Sequence, residues 1–368
     1  MKQRSRVAKR RRTVPAAAAL FILMVLCFLP ACGSRKTEEQ VPVQEEEDRI
    51  QIGLSFDSFV IERWQRDRDA FVARAAELGA DVNVQNANGD VEEQIAQIEY
   101  LIEKKMDVIA IVAVDSQRLS DVVAKAKREG IRIIAYDRLI TDAGADLYIS
   151  FDNERIGQMM GESIAANTPA GGKVFMMCGS PEDNNVSLVE KGFRSVMDRT
   201  DLEIVETAYA DNWLAELGYT AVGEYLDGGG ELDAVMCGND DVASQVIKAL
   251  SERRLAGEVC VVGQDAELGA CQRIVEGTQT MTVYKSIEKL AMRAAESAVA
   301  LARDGEVKTG GTYFDGTWDV PYIGLEPVAV TENNMQVIID DGYHLEEDIY
   351  LNVNRGFHLD KDTTPFPR

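Results

Sequence analysis

In the run "IIAYDRLI", a carboxylate and a guanidinium, Asp137 and Arg138, follow directly on an apolar, β-branched stretch. The same hand-over recurs along the chain. Apolar runs deliver Asp57; Asn86 and Asn88; Asp115; Asp152 and Asn153; the polar turn "SPEDNN" at 180–185; Trp213; Asn239 and Asp240; Asp265; and Lys285. Open parallel sheets bind ligands outside the carboxyl ends of their strands, so hydrogen-bonding side chains concentrated there point to a polar ligand. Asp and Asn also cap helices, and capping suffices for Asp115, Asp152 and Asp241. It does not account for Asp137 beside Arg138, nor for the density of polar groups in "SPEDNN". Arg63 poses a further question, because a cation in the first turn of a helix opposes the helix dipole. Trp64 falls on the stripe Ile61, Trp64, Phe71, Ala75 and Leu78, which by spacing alone is core.

The elements that carry these residues are legible from periodicity. Ten short β-branched runs recur, and most of them, among them "IQIGLSF", "DVIAIVAV", "KVFMMC" and "EVCVVGQ", are nearly continuous in apolar residues, as strands buried on both faces of a parallel sheet are. Between them, segments such as "VEEQIAQIEYLIEKK" repeat apolar residues at three and four spacing, the mark of helices packed on a sheet. Alternation of this kind predicts an α/β fold with right-handed crossovers. Ten strands exceed an ordinary open sheet, so two similar sheets are expected.

Several chemistries lack their parts. The chain holds only His344 and His358, both near its end, so a Ser-His-Asp or Cys-His arrangement is not expected. Gly171-Gly172-Lys173 lacks the remaining residues of a phosphate-binding loop. Four cysteines, Cys178, Cys237, Cys260 and Cys271, form no C-x-x-C pair and read as buried free thiols. No zinc site is indicated. Many hydrogen-bonding groups without catalytic machinery suggest binding without turnover.

The first thirty residues differ from the rest. "MKQRSRVAKRRR" is basic, "AAAALFILMVLCFL" is apolar, and "LPACGS" follows, as in a bacterial export signal. Leu29-Pro30-Ala31-Cys32 resembles a lipobox, which makes Cys32 the expected lipidation site and residues 1–31 the expected signal peptide. The alternative is a short uncleaved signal anchor. Removing 1–31 takes away seven basic residues and no acid, moving the net charge from -23 to -30. So acidic a body repels nucleic acid. Residues 32–49 are polar and charged, as a flexible tether would be.

The motifs "IERWQRDRD", "NVQNANGDVEEQIAQIE", "IIAYDRLI", "YISFDNERIGQ", "GSPEDNN", "GQDAEL" and "GTQTMTVYKSI" together resemble the periplasmic D-xylose-binding proteins of bacterial ABC importers, within the type I ribose/galactose-like sugar-binding family. The resemblance spans about 50–347. It implies two doubly wound parallel-sheet lobes joined by a three-strand hinge, with crossings near Asn153 to Ile156, near Ser286 and around Gly311 to Gly316. The N-terminal lobe would comprise 50–153 plus 287–313 and the C-terminal lobe 154–286 plus 314–347. Residues 348–368 would form a flexible tail, or an edge strand around "IYLNVN".

The resemblance further implies that Arg63, Asp137, Arg138, Asn185, Asn239, Asp265 and Lys285 hydrogen-bond sugar hydroxyls, with Trp64 and Trp213 covering the sugar's faces. Asp183 and Asn184 would be possible additional ligands. Carboxylates and guanidinium groups can grip vicinal hydroxyls bidentately, and indole rings pack on apolar C–H faces. Implied partners are D-xylose or a close pentose, the permease subunits of an ABC transporter, and a membrane through the lipid at Cys32. The calcium loop of galactose-binding relatives has no counterpart, so no metal or other cofactor is expected. A sugar sensor feeding a chemoreceptor or sensor kinase would use the same pocket, and a carbohydrate-active enzyme is the remaining alternative.

Overall fold

The computed structural model describes residues 49–353. The expected signal peptide, Cys32, the tether before Arg49 and the tail beyond Val353 lie outside the described residues. The chain runs β1 (Ile50–Phe56), α1 (Arg63–Glu77), β2 (Ala80–Asn86), α2 (Val91–Glu103), β3 (Val108–Ile111), α3 (Ser120–Arg128), β4 (Arg132–Tyr136) and β5 (Leu147–Phe151). It continues through α4 (Asn153–Asn167), β6 (Lys173–Cys178), α5 (Asn184–Met197), β7 (Glu203–Tyr209), α6 (Glu216–Asp227), β8 (Ala234–Cys237), α7 (Asp240–Glu252), β9 (Cys260–Gln264), α8 (Leu268–Glu276) and β10 (Met281–Tyr284). The last described elements are α9 (Ile287–Ala302), β11 (Gly311–Phe314), β12 (Asp319–Leu325), β13 (Val328–Val330), α10 (Gln336–Asp340) and α11 (Glu346–Ile349).

Two sheets result, each the centre of one lobe. The first has the order β11-β12-β5-β4-β3-β1-β2 and the second β13-β10-β9-β8-β6-β7. Nearly every pairing is parallel; the antiparallel pairs β11–β12 and β10–β13 lie at one edge of each sheet. Helices cover both faces, which is why β3, β5 and β8 are buried along their whole length. This is the two-lobed, doubly wound architecture that the resemblance implied. One apolar cluster passes from the first lobe to the second through Trp64, Val186, Val189 and Trp213. All four described cysteines are buried and free.

Helices α4 and α5 approach closely enough to exclude any side chain between them. A Cβ on Gly157 would lie 1.9 Å from the Val189 carbonyl oxygen, and one on Gly192 would lie 2.0 Å from that of Glu154. This contact fixes the start of α5, which carries Asn185.

The chain changes lobes between β5 and α4, again between β10 and α9, and a third time between β12 and β13. The third crossing lies at Glu326-Pro327, not in the "GTYFDG" turn expected to hold it. Residues Tyr322 to Leu325 pair in parallel with Tyr148 to Phe151, which keeps β12 in the first sheet. Asp315 pins the turn there by accepting from the backbone N–H groups of Ala143 and Gly144 at 3.1 and 2.7 Å. Residues 314–325 therefore belong to the first lobe. The start of the expected tail is also corrected. Residues Glu346 to Ile349 form a helix and 350–353 a turn, where an edge strand around "IYLNVN" was the alternative, and Ile349, Tyr350 and Val353 pack on a core cluster of the second lobe.

Candidate ligand-binding site

The carboxyl ends of both sheets face one cleft. The first lobe supplies Arg63 and Trp64 from the start of α1 and Asp137 and Arg138 from the turn after β4; the second supplies Asp183, Asn185, Trp213 and Asp265. Lys285 reaches the same cavity from the second crossing. All nine are buried or nearly so.

Arg63 answers the question its helix position raised. Its Nη2 lies 2.9 Å from Asp137 Oδ2, its Nε 3.2 Å from Asp67 Oδ2, and its Nη1 3.7 Å from Asp265 Oδ1. Three carboxylates outweigh an opposing helix dipole worth about 1 kcal/mol. Asp67 also accepts a hydrogen bond from the Tyr136 hydroxyl. Arg138 spans the cleft. Its Nη1 donates to Asp57 Oδ2 at 2.8 Å and to the Ala113 carbonyl at 2.9 Å, both in the first lobe. Its Nε lies 2.7 Å from Asp183 Oδ2 in the second, an ionic contact without hydrogen-bond alignment. Lys285 Nζ is 2.6 Å from Asp265 Oδ1. No buried charge at the site is left bare, which is the condition for burying charges at all.

Burial pushes all of these carboxyls upward, and the neighbouring charges decide the net direction. It raises Asp57, Asp67 and Asp183, against the opposing pull of Arg138 on the first and third and of Arg63 on the second. Burial also pushes Asp137 upward, but Arg63, Lys285 and Arg138 together more than offset this. Its carboxyl sits below the usual range and stays ionised.

Three site residues adopt left-handed backbone despite carrying side chains: Asp137 (φ 62), Trp213 (φ 57) and Asp265 (φ 96). Such conformations cost about 1–3 kcal/mol each and persist where the surroundings enforce them. For Asp137 the enforcement is visible. Its N–H donates to the Ile149 carbonyl at 2.8 Å, and its carbonyl accepts from Ser150 Oγ at 2.6 Å and Asn185 Nδ2 at 3.1 Å. Trp213 ends a short 3-10 turn, Asp211–Trp213, and lays its ring on Gly179, where a Cβ would stand 2.1 Å from the indole.

Apart from Arg138 Nε and Asp265 Oδ1, which are held in ion pairs, four residues of the cavity wall carry buried polar atoms that make no hydrogen bond within the protein. They are the indole N–H groups of Trp64 and Trp213, Asn185 Oδ1 and Gln264 Oε1. Two donors and two acceptors thus face a closed space, and burying such groups unpaired is costly. A polyol would satisfy both kinds.

Trp64 is both things its sequence position suggested: it packs on Phe56 with centroids 6.0 Å apart and lines the cavity. Asn239 and Asn184 stand differently from expectation. Neither is on the cavity wall; Gly238 lines it instead. Asn239 Oδ1 caps α7 by accepting from Val242 N at 2.9 Å, while its Nδ2 is buried without a protein partner. Asp183 lines the wall but is engaged by Arg138 and caps α5. Gln264 and Asn153 line the cavity without having been singled out as ligands. The only signal for them was their place at a strand end, beside Asp265 and Asp152.

A family model described as "Periplasmic binding protein domain" matches residues 52–306. Over 307 residues the chain is 45% identical to a D-xylose-binding periplasmic protein of Haemophilus influenzae, covering 82% of this chain and 92% of that protein. It is 43% identical to the protein of the same description in Escherichia coli, with the same two coverages. Among solved structures, a carbohydrate transporter solute binding protein from Chloroflexus aurantiacus in complex with D-glucose superposes with a TM-score of 0.76 at 25% identity, covering 82% of this chain and 98% of that one. An ABC transporter solute binding protein from Clostridium phytofermentans with bound β-D-glucose gives 0.74 at 28% identity, with coverages of 81% and 99%. The chain belongs to the periplasmic binding protein family, in its type I sugar-binding branch, and is a binding protein and not an enzyme.

Proposed function

We propose that this chain captures D-xylose in the cleft between its lobes and delivers it to the permease of an ABC transporter, held at the membrane by a lipid on Cys32. The observation that carries the ligand class is the set of unpaired indole N–H, amide and carboxamide oxygens facing a cavity whose charges are already compensated. A neutral polyol completes that set without adding charge. The relatives named above support xylose in particular.

In this reading Arg63, Asp137, Arg138, Asp265 and Lys285 bond the hydroxyls through directions their ion pairs leave open. Asn185 accepts through Oδ1, Asn239 donates through Nδ2, and Trp64 and Trp213 cover the apolar faces. A pentose fits between the two indoles where the hydroxymethyl arm of a hexose would clash. Epimers are rejected because each misplaced hydroxyl strands a buried partner. Ligand bonded by both lobes stabilises the closed form by its differential affinity for it.

A thermal-shift panel of D-xylose, D-ribose and D-glucose on the full-length chain tests this. Binding to the native state alone raises the melting temperature by mass action, about 2.7 kcal/mol at a hundredfold excess over Kd. D-xylose is expected to give a clear rise and the others little. Equal responses to xylose and ribose would remove the specificity; no response to any sugar would remove the ligand class.

A further inference from the structure

Four consecutive residues, Asp341 to His344, touch the ligand wall, the hinge and the opposite lobe at once. Their contact with the wall falls behind Asp265. Asp265 and Ala266 are consecutive non-glycine residues in left-handed backbone, at φ 96 and 52, a pair that needs outside support. The Tyr343 hydroxyl donates to the Asp265 carbonyl at 3.3 Å, and His344 Nε2 donates to the Ala266 carbonyl at 2.8 Å. Both side chains are buried, and their ring centres lie 4.6 Å apart with the planes tilted by 56°.

Toward the hinge, Asp341 accepts from the Tyr284 hydroxyl at 2.6 Å, Ser286 Oγ at 3.0 Å and Lys289 Nζ at 3.0 Å. Tyr284 ends β10 in the second lobe, Ser286 stands at the crossing, and Lys289 lies in the first turn of α9 on the first lobe. Toward the opposite lobe, Arg66 of α1 donates from Nη1 to the Tyr343 carbonyl at 2.9 Å. Its guanidinium carbon lies 4.6 Å from the centre of the Tyr343 ring. Arg66 and Tyr343 are on different lobes, so this contact exists only while the lobes are together.

We propose that residues 341–344 form a strap that positions Asp265 for its ligand and, through Arg66, favours the closed cleft, with Tyr343 as the positioning residue. The strap rests on the reading that the cleft binds a pentose. It links the carboxylate that meets the ligand to the hinge and to an interlobe contact some two hundred residues earlier in the chain, so ligand seating and closure reinforce each other.

Arg66→Gln and Tyr343→Phe in the full-length chain test it, with D-xylose binding followed by calorimetry and sugar release by stopped-flow tryptophan fluorescence. Arg66 is exposed, so its replacement leaves the sugar-free fold intact, and the sugar-free melting temperature checks this. Losing one hydrogen bond and one exposed cation–π contact is expected to weaken xylose binding about fivefold, through faster release. Tyr343→Phe, which keeps the ring and removes only the bond to Asp265, is expected to weaken binding about threefold. Parent-like affinity and release in Arg66→Gln overturn the strap as an interlobe contact, and parent-like affinity in Tyr343→Phe overturns the positioning role. A parent chain that binds no pentose overturns the sugar reading instead.

Discussion

Lys285 Nζ stands 2.6 Å from Asp265 Oδ1, with Arg63 on the other side of the same carboxylate at 3.7 Å. Asp265 is thus the counter-charge of two buried cations as well as a candidate ligand. Removing one partner of a buried pair costs about 3–5 kcal/mol because the other charge is left uncompensated. For Lys285→Met the cost is expected at the lower end, since Arg63 still faces Asp265. Its sugar-free melting temperature should fall and its response to xylose should vanish. A Lys285→Met protein that binds xylose like the parent would take the ammonium out of the site.

Gly179 exists as glycine because the Trp213 indole occupies the place of its side chain, 2.1 Å from where a Cβ would stand. Gly179→Ala must therefore displace the ring that closes one side of the cavity. Tryptophan emission should shift to the red as the indole N–H meets water, and xylose affinity should fall at least tenfold. An alanine variant with parent emission and affinity would show that the ring is not held as described.

How much of this was legible in the chain depends on what each residue's role rests on. Most of the ten strands from Ile50 to Tyr284 could be read because burial on both faces leaves nearly continuous apolar runs, whereas the edge strands Ala80–Asn86 and Glu203–Tyr209 are partly exposed and mix in polar residues. The strands Gly311–Phe314, Asp319–Leu325 and Val328–Val330 could not. Pro321 interrupts the longest of them, and most of their residues are partly exposed, so neither the apolar run nor the pattern of a central strand survives. For that reason nothing in the sequence marks the third crossing at Glu326-Pro327. Asp137, Arg138, Trp213 and Asp265 were recognisable because strand ends announce a ligand face. Asn239 carries a second role that a strand end does not announce: its Oδ1 caps a helix, while its Nδ2 is left without a protein partner. Gln264 gained its role only from the fold, which turns it toward a cavity that the sequence does not display. The charge partners of Arg63 show both cases. Asp67 lies one helical turn away, whereas Asp137 comes from 74 residues further on.

Asn185 ties the lobes together at the cleft. From the second lobe its Nδ2 donates to both the carbonyl and the carboxylate of Asp137 in the first, at 3.1 and 3.0 Å, and leaves Oδ1 facing the cavity. Asn185→Ala removes both interlobe bonds and one acceptor. At about 1–3 kcal/mol for buried bonds to a charged partner, xylose affinity should fall about tenfold to a hundredfold. The sugar-free protein should scatter X-rays as a more open particle. A closed particle with parent affinity would sink the role assigned to Asn185.

Asp240 makes a prediction about pH. It is fully buried behind the site, where Gln279 Nε2 and Thr282 Oγ1 each donate to it at 2.7 Å and the Glu267 N–H at 3.2 Å. Burial raises its pKa to about 7, although Thr282, Arg273 and Gln279 pull the other way. An unfolded chain releases this proton near pH 4, about the ordinary value for Asp, whereas the folded protein keeps it to about pH 7. The folded state therefore binds more protons across that window, and the stability that Asp240 contributes is full below pH 4 and lost as the pH rises to 7. In Asp240→Asn this contribution disappears, so the parent-minus-variant difference in melting temperature should shrink steadily from pH 4.5 to pH 7.5. A difference that stays flat or grows across that range would show that the three donors keep Asp240 ionised in the folded protein.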